Sequence, residues 1–193
     1  MYETLKPEVI VFAGPNGSGK STITRLSKTI GDYINADEIK RVNLCSDMEA
    51  AQRAEAMREK ALYEKRDFTF ETVLSTDRNL KLLQKAKASG YFVRCIYVLT
   101  ANPDINVARV QIREAQGGHG VPEEKIRERY RKALNLIPDL ISTCDVLHIY
   151  DNTIRPYRIF KKRKEQLFYW ENEFWDEAAI RKLTGTISMS ECI

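Results

Sequence analysis

A short β-branched run, Val9-Ile10-Val11-Phe12-Ala13, passes directly into Gly14-Pro15-Asn16-Gly17-Ser18-Gly19-Lys20-Ser21. The octapeptide satisfies the P-loop pattern Gly-x-x-x-x-Gly-Lys-Ser/Thr at every fixed position, and that pattern demands a strand before it and a helix after it. Its glycines let backbone N–H groups turn inward around phosphate oxygens. Lys20 adds a charge that reaches the β- and γ-phosphates, Ser21 offers a hydroxyl to Mg²⁺, and the helix N-terminus adds a partial positive charge. The pattern therefore predicts that Gly14, Asn16, Gly17, Ser18, Gly19, Lys20, Ser21 and Thr22 hold the phosphates of ATP, with Ser21 on the metal. The competing reading is a flexible glycine turn with no ligand.

Downstream, strands and helices alternate. Lys20–Thr29 reads as a helix, Ile34-Asn35-Ala36 as a short strand, Met48–Lys65 as a long helix and Phe68-Thr69-Phe70 as a third strand. Arg78–Ser89 has helical spacing and is closed by Gly90 at the C′ position. Phe92–Leu99 is a fourth strand, and Asn102-Pro103 opens a helix through about Gln116. Gly117-Gly118-His119-Gly120-Val121-Pro122 breaks that helix, Glu123–Leu136 restarts it, and Asp145–Tyr150 is a fifth strand. Beyond Asp151 the pattern weakens, with a hairpin over Tyr157–Phe160 and Gln166–Trp170 and a last helix over Glu173–Leu183. The expected fold is α/β: one P-loop kinase domain over residues 1–193, with a mainly parallel five-stranded sheet flanked by helices. A Gly-hinged helical lid spans about residues 103–136, and residues 153–193 form the weakly patterned hairpin and helix. Ligands on such sheets sit at the carboxyl ends of the strands. The loop after Ala13, Asp37, Glu71 and Asp151 should then converge on one crevice.

No run of four apolar residues ends in Asp-Glu, and no Asn-Lys-x-Asp is present, so motor ATPases and GTPases are disfavoured. A small-molecule kinase needs a carboxylate to orient and deprotonate the acceptor hydroxyl, and cations to neutralise the moving phosphoryl group. Asp37, expected just past a strand near the P-loop strand, suits the base; it equally suits the N-cap of a helix over Glu38–Val42. Glu71, after an aromatic strand, can hold substrate hydroxyls or a Mg²⁺-bound water, or be a solvated edge residue. Arg109, Arg113, Arg127, Arg129 and Arg131 flank the glycine hinge, as a lid closing over triphosphate requires, with two of the five expected to matter. His119 more often caps or stacks in such a loop than acts in catalysis, and Lys161-Lys162-Arg163-Lys164 reads as a turn between strands.

Among 193 residues, 43% hydrophobic and 30% charged, no apolar run approaches the roughly 18–20 residues that span a bilayer, so no membrane partner is expected. Met1–Lys6 lacks a secretion signal, and the expected compartment is the cytoplasm. Cys45, Cys95, Cys144 and Cys192 form no C-x-x-C pair, which argues against a zinc site or a disulfide framework. A net charge of +4 suits an anionic ligand without arguing for a nucleic-acid partner.

Val9–Thr22, Ile34-Asn35-Ala36-Asp37-Glu38-Ile39, Phe68-Thr69-Phe70-Glu71-Thr72, Gly90–Thr100, Gly117-Gly118-His119 running into Val121-Pro122, and Arg129-Tyr130 together resemble the zeta-toxin family of P-loop kinases, above all its small single-domain members. The resemblance implies ATP–Mg²⁺-dependent phosphorylation of a sugar hydroxyl, the acceptor in founding members being UDP-N-acetylglucosamine. It places Asp37 at the catalytic base and Glu71-Thr72 at a substrate-binding segment, though here Thr follows Glu directly. Lys20, Arg113 and Arg129 become catalytic, with Arg109 and Arg127 as close alternatives for the clamp. The chain is shorter than the founding toxins and shows no distinct insert for uridine and sugar. The acceptor therefore stays open beyond a small molecule of the nucleotide-sugar kind, and an antitoxin partner has no support in the sequence. A polynucleotide or other metabolite kinase on the same fold, and a non-catalytic ATP-binding switch module, remain alternatives.

Overall fold

The computed structural model describes residues 6–186. The chain begins with β1 (Glu8–Ala13), α1 (Lys20–Leu26), β2 (Asp32–Ile34), α2 (Ala36–Asn43) and α3 (Asp47–Tyr63). Next come β3 (Phe68–Thr72), α4 (Asp77–Ala88), β4 (Phe92–Leu99), α5 (Pro103–Ala115), α6 (Glu123–Asn135) and α7 (Ile137–Thr143). It continues with β5 (Val146–Asp151), β6 (Tyr157–Arg163), β7 (Gln166–Tyr169) and α8 (Glu177–Thr184). The strands form one sheet in the order β2-β3-β1-β4-β5-β6-β7. The first five are parallel, joined by helical crossovers, and β6 and β7 add antiparallel to that edge. The expected five-stranded parallel sheet is thus the core of a seven-stranded one, because the hairpin pairs onto β5 instead of standing apart.

β3, not β2, lies beside β1: Val9 pairs with Phe68, and Ala13 with Thr72. Glu71 and Thr72 are the last residues of that strand, so their side chains are set by the pleat of the sheet's centre. On one face Val9, Val11, Phe68, Phe70, Cys95, Tyr97, Leu147 and Phe160 pack with α3, α4, α7 and α8. On the other, Ile10, Phe12 and Val98 meet Ile23 of α1. Phe12, Phe68, Phe70 and Phe160 are wholly buried, each contributing about 1.5–3 kcal/mol. Val107 and Val110 of α5 pack on Ile126 of α6 in a smaller cluster that joins the two helices.

Local chemistry accounts for the boundaries. Asn35 caps α2 by accepting from the amides of Asp37 and Glu38, at 2.9 and 3.4 Å, so Asp37 is a first-turn residue and not the cap. Ser46 and Glu49 close a capping box on α3. Ile137-Pro138 starts α7 immediately after α6, a helix that the sequence reading leaves out. The run Lys161-Lys162-Arg163, expected in a turn, lies in β6, and only Lys164 takes the left-handed turn conformation, with φ 54°. Cys192 and the far end of the expected terminal segment lie outside the described residues.

Candidate active site

The loop between β1 and α1 is drawn tightly over its neighbours. Gly17 and Gly19 have φ of 76° and 90°, and a Cβ on either would collide with the Asn106 backbone or the Asn152 amide. Those two asparagines brace the loop from below. Asn106, wholly buried on α5, donates to the Asn16 carbonyl and accepts from the Thr100 hydroxyl. Asn152, just after β5, donates to the Ser18 carbonyl at 2.8 Å. Ser18 Oγ is buried without a hydrogen-bond partner, and α1 has no side-chain cap. An unpaired buried hydroxyl and an uncapped helix start are the groups that phosphate oxygens satisfy. Lys20 folds back across the loop, donating from Nζ to the carbonyls of Gly14 at 2.7 Å and Pro15 at 2.9 Å. Burial lowers its pKa to about 8, against the opposing pull of Glu71 and Asp37, while Arg113 adds to the lowering.

Facing this loop are the carboxylates. Glu71 accepts from the Tyr33 hydroxyl at 2.8 Å with one oxygen and from the Ser21 hydroxyl at 3.4 Å with the other. Asn35 in turn donates to Tyr33 Oη at 3.1 Å, and burial holds that phenol protonated well above its usual range. The Asp37 carboxylate is exposed in the cleft and makes no hydrogen bond among the described residues. Thr72 also lines the cleft, yet its hydroxyl is engaged in the turn, accepting from the Leu74 amide at 3.0 Å and from Asn79 at 2.8 Å.

From α5 and α6, Arg109, Arg113 and Arg129 reach the same cleft. Each is held by an acceptor: Arg109 by the Thr153 carbonyl at 2.9 Å, Arg113 by the His119 carbonyl at 2.7 Å, and Arg129 by Asn16 Oδ1 at 3.4 Å. Arg127 does not line the cleft and pairs instead with Asp104 at 2.6 Å and Glu123 at 2.8 Å. His119 contributes its backbone to Arg113 rather than a side chain to the cleft. Asp151, expected in the crevice, is buried beneath it, accepting from Thr153 and Asn172.

The cleft encloses about 910 Å³ and extends past the P-loop between α3 and the loop after β3. Two arginines absent from the sequence reading line that half. Arg58 is 8% exposed, its guanidinium lies 5.3 Å from the Phe70 ring, and its Nε has no partner. Arg78 pairs loosely with Glu55 at 3.4 Å. The signal for Arg58 was present: it falls on the buried stripe Ala50-Ala54-Arg58-Leu62, where a cation requires a reason.

A hydroxyl beside a carboxylate is a hard-oxygen donor pair that suits Mg²⁺, which usually takes one or two protein oxygens together with substrate phosphates. The glycine cradle, the orphaned Ser18 hydroxyl and Lys20 fit a triphosphate.

The family model of the zeta toxin matches residues 34–173, a span that begins after the P-loop. An uncharacterized protein of Haemophilus influenzae is 28% identical over 132 residues, covering 65% of this chain and 94% of its own length. Among solved structures, a chain of the PezAT chromosomal toxin–antitoxin system of Streptococcus pneumoniae superposes with a TM-score of 0.61 at 18% identity, over 95% of this chain and 84% of that one. A chain of the AvrRxo1-ORF1:ORF2 complex with ATP gives 0.70 at 14% identity, over 95% of this chain and 65% of that one. The chain belongs to the zeta-toxin family and is a phosphotransferase with the P-loop kinase fold.

Proposed function

We propose that the chain transfers the γ-phosphoryl group of ATP, with Mg²⁺, to a hydroxyl of a small molecule of the nucleotide-sugar class. The observation that carries this reading is the convergence of Lys20, Ser21, Asp37, Glu71, Arg109, Arg113 and Arg129 on one cleft large enough for two ligands. Bound ATP supplies the phosphoryl group, and Mg²⁺ neutralises charge on its β- and γ-oxygens. Gly14, Asn16, Gly17, Ser18, Gly19 and Thr22 hold the phosphates, with Lys20 as the neutralising cation and Ser21 as the metal's protein ligand. Asp37 orients the acceptor hydroxyl and takes its proton. Glu71, fixed by Tyr33, holds the acceptor or a metal-bound water, and Thr72 shapes the wall beside it. Arg113 and Arg129 clamp the triphosphate from the lid, with Arg109 beside them. Arg58 and Arg78 give the acceptor half a positive potential, which favours an acceptor that carries phosphate. The ATP in a solved relative of the same fold supports the choice of nucleotide.

The test is incubation with γ-labelled ATP and a panel of nucleotide-sugars, simple sugars and 5′-hydroxyl oligonucleotides. Label on a nucleotide-sugar is the expected outcome; label on the oligonucleotides alone would replace this reading with polynucleotide kinase activity, and nucleotide binding without transfer would make the chain a switch module. A protein antitoxin is the second proposed partner, supported by the toxin–antitoxin system that contains one structural relative.

A further inference from the structure

The sheet edge far from β2 carries a cationic aromatic surface that phosphoryl transfer does not use. Residues 155–170 hold Arg155, Arg158, Lys161, Lys162, Arg163 and Lys164 against a single acid, Glu165. Strict alternation would send Arg158 and Lys161, three apart, to opposite faces. The structure prevents this with a bulge: Ile149 pairs with Phe160 and Tyr150 with Arg158, Ile159 is the extra residue, and both Ile159 and Phe160 are buried. Arg158 and Lys161 therefore emerge on one face. Cross-strand pairing continues that face as a row of Ile96, His148, Lys161 and Phe168.

The rings on this face lie in layers. His148 and Tyr150 stack with centroids 6.3 Å apart, and Phe168 and Trp170 with centroids 6.1 Å apart. The Arg158 guanidinium sits 4.5 Å from the Trp170 ring centre, and Lys161 Nζ sits 5.6 Å from that of Phe168. Among the described residues Arg158, Lys161 and Arg163 have no ion-pair partner, and Arg158 Nε has no hydrogen-bond partner. The field is correspondingly positive: burial together with Arg158, Lys161 and Arg94 pushes the His148 pKa down to about 4. Phe168 is 40% exposed, and α1, the helix on this side, packs over β1 and β4 against Ile10, Phe12 and Val98.

We infer that the open face of β5–β7 is a binding site for single-stranded nucleic acid, with Phe168, Trp170 and His148 stacking bases and Arg158, Lys161 and Arg163 taking phosphates. Flat sheets that interleave aromatic rings with cations recognise unpaired bases in this way, since every base has a face to stack and the backbone supplies the anions. An acidic protein would need the cations but not the layered rings. A lipid surface would need apolar side chains free of charge, not rings with the Arg158 guanidinium and the Lys161 ammonium over their faces.

The test uses the full chain and a fluorescently labelled 12-nucleotide oligoribonucleotide of mixed sequence. Binding with a log–log salt slope of about −2 is expected from three phosphate contacts on a single strand. Phe168→Ala should weaken it about tenfold, within the usual range for losing one stacking platform. Lys161→Glu should weaken it at least as much, while both variants keep the parent's far-UV circular dichroism spectrum and urea midpoint, which establishes that they fold. Titration should quench Trp170 fluorescence, and Trp170→Phe should abolish the quench while Trp175 remains. Equal affinity for polyglutamate, or tighter binding to anionic vesicles than to the oligonucleotide, would overturn the proposal, as would competition by ATP, which would move the oligonucleotide into the cleft. No measurable binding at low salt would overturn it as well.

Discussion

The Lys20 amine rests on the carbonyls of Gly14 and Pro15, and burial lowers its pKa from 10.5 to about 8. Two opposite pH dependences follow. Between about 8 and 10.5 the unfolded chain holds a proton on Lys20 that the folded chain has lost, so this group makes ligand-free stability rise with pH across that window. Triphosphate binding needs the ammonium form and should weaken as pH climbs above about 8, by roughly tenfold per unit at the limit. Calorimetric ATP titrations at neutral and alkaline pH should show the limb, and Lys20→Ala should flatten it while removing most turnover; a Lys20→Ala protein with near-normal turnover would reject the P-loop role. Asp37 offers a cleaner separation of roles, because Asn35 performs the capping. Asp37→Asn should keep near-native stability and ATP affinity and lose at least about 10²-fold in turnover, the usual scale of a general base. Wild-type turnover in that variant would transfer the base to Glu71, whose two oxygens already engage Tyr33 and Ser21.

At the scale of elements, α5 and α6 act as one body because Val107, Val110 and Ile126 interlock, and they present Arg113 and Arg129 on a shared side. Arg113→Ala and Arg129→Ala should each depress turnover about 10³-fold if they stabilise transition-state charge as arginine fingers do. Arg127→Ala, which breaks only the solvent-screened pairs with Asp104 and Glu123, should leave turnover within a few-fold and stability little changed. Equal small effects at all three would return the lid to a solvated pair of helices. Choosing between Arg127 and Arg129 was beyond the sequence, because both fit a helix near the hinge and only the packing of Ile126 fixes the rotation of α6. The strand–glycine loop–helix unit was legible for the opposite reason: its glycines, lysine and hydroxyl are demanded by local backbone geometry. Asn106 and Asn152, which hold that loop, are 90 and 134 residues from the carbonyls they bind, and local spacing carries no trace of them. The bulge at Ile159 was equally hidden, since alternation is the only strand signal that a sequence offers and a bulge breaks it.

Across the whole molecule, the C-terminal extension is tied to the phosphate loop through two adjacent residues. Asp151 accepts from Asn172 at 2.8 Å, beyond the hairpin, and Asn152 donates to the Ser18 carbonyl at 2.8 Å. β6 pairs along β5, Phe160 is in the main core, and Ile180 of α8 is buried in the same cluster. These links predict that the hairpin and α8 unfold together with the P-loop domain as one cooperative unit. Trp170 and Trp175 both lie in the extension, so tryptophan fluorescence reports on it while far-UV circular dichroism reports chiefly on the helices of the remaining chain. In urea the two signals should fall in one coincident two-state transition. ATP at about 100 times its dissociation constant should stabilise both by the same ~2.7 kcal/mol, because the ligand binds only the folded unit. A fluorescence transition at lower urea than the dichroism, unmoved by ATP, would instead separate the extension from the kinase core. The Asn152–Ser18 contact would then be a local brace on the loop and not a link through the molecule.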